Sequence, residues 1–73
     1  MPKLPVVSGQ EVIDALQRLG FAVARQRGSH VVLRRQAEGT VVPLHREVKR
    51  GTPATILRQA GVTTEEFIAA FAR

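Results

Sequence analysis

Two imidazoles, His30 and His45, lie within the most cationic stretch of a 73-residue chain. From Arg25 to Arg58 the basic residues are Arg25, Arg27, Arg34, Arg35, Arg46, Lys49, Arg50 and Arg58. Only Glu38 and Glu47 oppose them. Histidine beside guanidinium groups is suited to cutting RNA without a metal. A neutral imidazole takes the proton of a 2'-hydroxyl, which attacks the neighbouring phosphorus. A second acid protonates the departing 5'-oxygen, and cations stabilise the charge on the phosphoryl oxygens. Each well-placed acid or base is worth ~10²–10⁴ in rate. The plainer alternative is that a histidine on an exposed strand is a surface residue and a run of arginines a solvated face.

Other chemistries find little support. Without cysteine, neither a disulfide framework nor a thiolate metal site can form, and two histidines make a poor zinc site, so a cytoplasmic, metal-free and cofactor-free protein is expected. Ser8, Ser29 and the threonines fit caps and turns, and no Ser-His-carboxylate pattern is present. Gly28 and Gly51 do not make a phosphate-binding glycine motif. The start, MPKLPVVSGQ, lacks the apolar stretch of a secretion signal, and no run approaches membrane-spanning length. Eleven Lys and Arg against six acidic residues give a formal charge of +5, which favours a polyanionic partner. The three phenylalanines, Phe21, Phe67 and Phe71, all fall at core positions and there is no Tyr or Trp, so stacking on splayed bases is not expected. Contact should go through phosphates and 2'-hydroxyls, reading shape more than sequence.

The elements that must position these groups can be read in order. VSGQEVIDALQRLG has both helix ends: Ser8 and Glu11 at capping-box spacing, Val7 and Val12 as a staple, and Gly20 for the left-handed stop. FAVARQ and HVVLRR read as strands around a three-residue loop, Arg27-Gly28-Ser29, which pairs Val23 with Leu33 and Arg25 with Val31. That register gathers Phe21, Val23, Val31 and Leu33 on one face and leaves His30 on the other. A four-residue turn, QAEG, then leads to TVVPLH, with Arg35 opposite Thr40, Leu33 opposite Val42, Val31 opposite Leu44 and His30 opposite His45. Pro43 cannot donate to a ladder, so this third strand should be an edge and the second strand central. Thr52 and Pro53 open a further helix ending at Gly61. Thr63 with Glu66, and Val62 with Phe67, repeat the capping chemistry for a last short one. The expected fold is α/β in the α+β sense. Its order is α-β-β-β-α-α, one domain over residues 1–73, with helices on one face of a three-stranded antiparallel meander.

LQRLGF, RGSH, VVPLH and KRGTPATILRQAGVT, in that order and over nearly the whole chain, resemble the HicA family of small bacterial and archaeal toxins. That resemblance implies a fold like a double-stranded-RNA-binding domain and cleavage of messenger RNA. It makes His30, in the GSH position, the catalytic histidine and places His45 near the RNA path. It also implies a HicB antitoxin as protein partner. The pattern departs at Val31, since many members carry a second histidine after the first, or a polar residue followed by histidine.

The reading that combines these strands is an endoribonuclease toxin. His30 does acid/base work, with His45 a weaker second acid or RNA-orienting group. Arg34, Arg46, Lys49 and Arg50 contact phosphates, and Arg25, Arg27, Ser29 and Thr52 complete the RNA contact. The alternatives are an RNA-binding module that does not cut and a protein-interaction module whose basic surface docks an acidic partner.

Overall fold

In a computed structural model, residues 6–46 and 52–72 are described. The chain forms α1 (Gly9–Arg18), β1 (Ala22–Arg27), β2 (His30–Arg35), β3 (Glu38–Pro43), α2 (Thr52–Ala60) and α3 (Thr64–Phe71). The three strands make an antiparallel sheet in the order β1-β2-β3. The α-β-β-β-α-α topology, with β2 central and β3 at an edge, is the double-stranded-RNA-binding type of arrangement expected from the sequence.

The helix ends are set by local chemistry. Ser8 Oγ accepts from the Glu11 N–H at 3.1 Å while the Ser8 N–H donates to Glu11 Oε1 at 2.9 Å. Thr63 and Glu66 repeat the exchange at 3.1 and 3.0 Å at the start of α3. The Thr63 backbone N–H, and after it the Thr63 side chain, favour the ionised Glu66 carboxyl and hold it below its ordinary pKa. Gly20 and Gly61 take the positive φ values, 99° and 70°, that end α1 and α2.

A single core joins the two halves. Val7, Val12, Ile13, Ala15 and Leu16 from α1 and its approach meet Phe21, Val31, Leu33 and Val42 from the sheet side. Ile56, Leu57, Ala60, Val62, Phe67 and Ala70 close it. Leu19, Leu44 and Phe71 pack at its margin. Among the described residues Thr40 is the buried polar one, 4 % exposed, and its hydroxyl donates to Gln59 Oε1 at 3.1 Å.

Both hairpin turns are shorter than the sequence predicts. Arg27 pairs with His30, so the first loop is Gly28-Ser29 alone, with Gly28 at φ 55°. The register then shifts between Val23 and Arg25: Gln26 opposes Val31, Arg25 opposes Val32, and beyond the bulge at Ala24 Val23 opposes Leu33. The predicted Val23–Leu33 pair is therefore present, whereas the predicted Arg25–Val31 pair is replaced by Arg25–Val32. An extra residue in one strand converts one register into the other.

The second loop is Gln36-Ala37, closed by the Arg35–Glu38 pair. Leu33 opposes Thr40, Val31 opposes Val42, and His30 opposes Pro43. Predicted pairings of Arg35 with Thr40, Leu33 with Val42, Val31 with Leu44 and His30 with His45 are all displaced by two residues. A two-residue slip leaves the inward set unchanged because strand side chains alternate with period two. It does remove His45 from beside His30. The physical reason lies at Gln36, which takes φ 54°, a left-handed conformation that a non-glycine residue adopts at a cost. Glu38 and Gly39, counted in the expected four-residue turn, instead stand in the ladder opposite Arg35 and Arg34.

Helix cover is uneven across the sheet. The helices lie chiefly against β3 and against one another, and every residue of β1 is exposed, Val23 to 44 %. Truncating the fully buried Leu33 to Ala should cost about 2–5 kcal/mol. Val23→Ala should cost under about 1 kcal/mol, since its burial is so partial. Urea unfolding of both variants checks the contrast, and equal losses would refute the assigned cover.

Candidate nucleic-acid interface

Directly opposed residues of an antiparallel pair share a face, with Cβ atoms ~4.5–5.5 Å apart. On the face turned away from the helices, the registers give three rows across the sheet. The first is Arg27, His30 and Pro43, the second Arg25, Val32 and Val41, and the third Ala22, Arg34 and Gly39. Arg25, Arg27, His30, Arg34 and Val41 are exposed, and Val32 and Pro43 half-buried. His30 thus stands on an open surface with Arg27 beside it in its own row and Arg25 in the next. A methyl on Gly39 would come within 3.6 Å of Arg34 Cγ, so the Arg34 side chain lies over the bare backbone of β3.

Burial fixes the sidedness of the imidazole. Val31 and Leu33, on either side of Val32, are 3 % and 0 % exposed, which obliges His30, Val32 and Arg34 to face outward. Position 31, where many members of the resembled family have a second histidine, points into the core. The imidazole this hairpin presents to solvent is that of His30.

Ser29 is exposed in the turn, and its carbonyl accepts from the Leu44 N–H at 2.6 Å. His45 lies beyond the end of β3, exposed, its N–H donating to the Pro43 carbonyl at 3.0 Å. Arg46 follows it, also exposed. The structure therefore brings Arg25, Arg27, His30 and Arg34 onto one surface with Ser29 at its rim. His45 and Arg46 continue past the strand end. Lys49 and Arg50 lie outside the described residues, and Thr52 is the first residue of α2.

Arg35, counted with the cationic stretch in the sequence, has a different job. Its guanidinium carbon sits 4.6 Å from the Phe21 ring centroid, its Nη1 donates to the Leu19 carbonyl at 2.8 Å, and its Nη2 reaches Glu38 Oε1 at 3.3 Å. It closes the C-terminal end of α1 onto the sheet and is withdrawn from the open face. The alternation of β2 could have found this, since 35 shares the parity of 31 and 33. The sequence counts Arg25 and Arg27 among the RNA contacts but sets Arg25 opposite Val31, on the covered side; the two-residue turn and the bulge between Val23 and Arg25 are what put both on the face of His30.

Among the described residues no group of three or more His, Cys, Asp or Glu is placed to hold a metal ion, and no helix is long and apolar enough to cross a membrane.

Residues 9–62, from the first residue of α1 to just past α2, match the family model described as the HicA toxin of bacterial toxin-antitoxin systems. The span takes in the whole sheet and well over half of the 73 residues. The chain belongs to the HicA toxin family. Its α3 lies outside the matched span, and no curated protein matches the chain. Within this HicA-family fold the two adjacent arginines of β2 are predicted to separate cleanly. Arg35→Ala should lose about 1–3 kcal/mol through its carbonyl and ring contacts. Arg34→Ala should stay within about 0.5 kcal/mol of the parent. Chemical denaturation measures both, and a reversed order would contradict the partition of the two side chains.

Proposed function

We propose that this HicA-family chain is an endoribonuclease toxin that cuts messenger RNA in the cytoplasm and is restrained by a HicB-like antitoxin. The chain, residues 1–73, acts as one RNA-binding and RNA-cleaving domain. The observation that carries the reading is the exposed His30 imidazole on a sheet face that also bears Arg25, Arg27 and Arg34. His30 as general base takes the proton of a 2'-hydroxyl. The 2'-oxygen bonds to the adjacent phosphorus as the P–O5' bond breaks, leaving a 2',3'-cyclic phosphate and, once protonated, a free 5'-hydroxyl. The arginines hold the phosphoryl oxygens as charge develops there, with Arg46, Lys49, Arg50, Ser29 and the Thr52 helix start extending the contact along the backbone. His45 is the weaker candidate, as the second acid or an RNA-orienting group.

The displacement of His45 from the row of His30 gives weight to a second reading, an RNA-binding module that holds its target without cutting. The two are separated by one set of measurements. His30→Ala should abolish cleavage of a long RNA in EDTA while leaving affinity within about threefold, because the substitution removes proton transfer and no cation. Products of the parent should end in a cyclic phosphate and a 5'-hydroxyl. Unchanged cleavage by the variant would refute the assignment, and intact RNA with the parent under steeply salt-dependent binding would establish the second reading. Arg34→Ala should lower the salt slope by about one, as expected for loss of one phosphate contact.

A further inference from the structure

α1 begins against the end of β3. The N–H of Gly9, one of the four donors left free at a helix start, donates to the carbonyl of His45 at 2.8 Å. Leu44 N–H is spent on the Ser29 carbonyl, the residue before His30, and Pro43 is the cross-strand partner of His30 itself. The first peptide of α1, the backbone of residues 43–45, the hairpin turn and His30 are therefore tied into one continuous strip.

That strip depends on a missing side chain. Gly9 is buried, and a Cβ there would fall on the Pro43 carbonyl oxygen, 2.9 Å from the carbonyl carbon and 3.0 Å from Leu44 Cα. Every one of these obstacles is backbone, which cannot swing aside as a flexible side chain would. Gly9 has no need of its freedom in φ; it is required for close approach. The capping box of Ser8 and Glu11 fixes the helix start that delivers it.

Building on the nuclease reading, we propose that Gly9 is a positioning residue. By closing α1 onto residues 43–45 it sets the place of His45 and, through Pro43, the strand that backs His30. Neither Gly9 nor Ser8 touches RNA in this scheme; both act through the histidines.

The molecule supplies its own control, because α3 opens with the same capping box, Thr63 with Glu66, remote from both imidazoles in the chain. Ser8→Ala and Thr63→Ala in the full chain delete chemically equivalent caps. Cleavage at saturating RNA, RNA affinity and the NMR resonances of the His30 and His45 rings are then compared. Ser8→Ala should slow cleavage about threefold to tenfold at unchanged affinity and shift the His45 ring resonances, while Thr63→Ala should do neither. Gly9→Ala should slow cleavage about tenfold to a hundredfold, in line with the cost of small misplacements of catalytic groups. The same response of both capping variants in rate and ring resonances overturns the proposal, and so does a folded Gly9→Ala protein of parental rate. Should Gly9→Ala not fold, the capping pair decides. Should the parent not cut RNA, the nuclease reading fails while the ring resonances still decide the clamp: movement in Ser8→Ala alone sustains it, and none overturns it.

Discussion

The alternation of β2 governs everything the surface does. Val31 and Leu33 are buried in the core, 3 % and 0 % exposed, and a strand cannot turn two of its residues inward without turning their neighbours outward. A slip of one residue would bury His30 and Arg34 and expose two of the best-packed apolar groups in the protein. The hydrophobic effect, acting on side chains with no chemistry of their own, thereby sets the accessibility of the imidazole.

Charge is divided by the same rule. Arg34 and Arg35 are adjacent in sequence and opposite in role: one lies over the bare backbone of Gly39 on the open face, the other is spent on Leu19, Phe21 and Glu38. A count of basic residues in the central stretch therefore overstates the cations available to a polyanion. The field at the open face comes from Arg25, Arg27 and Arg34, arranged around a centre made of Val32, Val41 and Pro43. With no aromatic ring among them, this surface suits a backbone of phosphates better than unstacked bases.

How much of this could be read from the sequence follows the range of the interactions involved. Capping boxes at Ser8 and Thr63 and glycine stops at Gly20 and Gly61 are decided within a few residues, and all were legible. So was the inward set of Val31, Leu33 and Val42, because hydrophobic alternation survives an error of two in register. Turn length was not legible. QAEG reads as a turn of four, yet Glu38 and Gly39 enter the ladder and Gln36 takes the left-handed conformation, a choice made by the pairing of whole strands and not by local preference. The bulge at Ala24 leaves no mark in composition, and with it went the alignment of Arg25 and Arg27 with His30. The apposition of His30 and His45 was the one feature of the candidate site that rested wholly on turn length, and it did not survive.

A three-stranded sheet has two bare edges, each a row of backbone donors and acceptors that another chain could continue. Here β1 is kinked by its bulge and carries Arg25 and Arg27 near its end, while β3 finishes in Pro43, which has no N–H to offer. Both are recognised ways of discouraging edge-to-edge growth. The positive charges assembled around the imidazole thus also set copies of the chain against one another. A cationic face can thus stay open while the strand edges beside it offer a poor template for pairing.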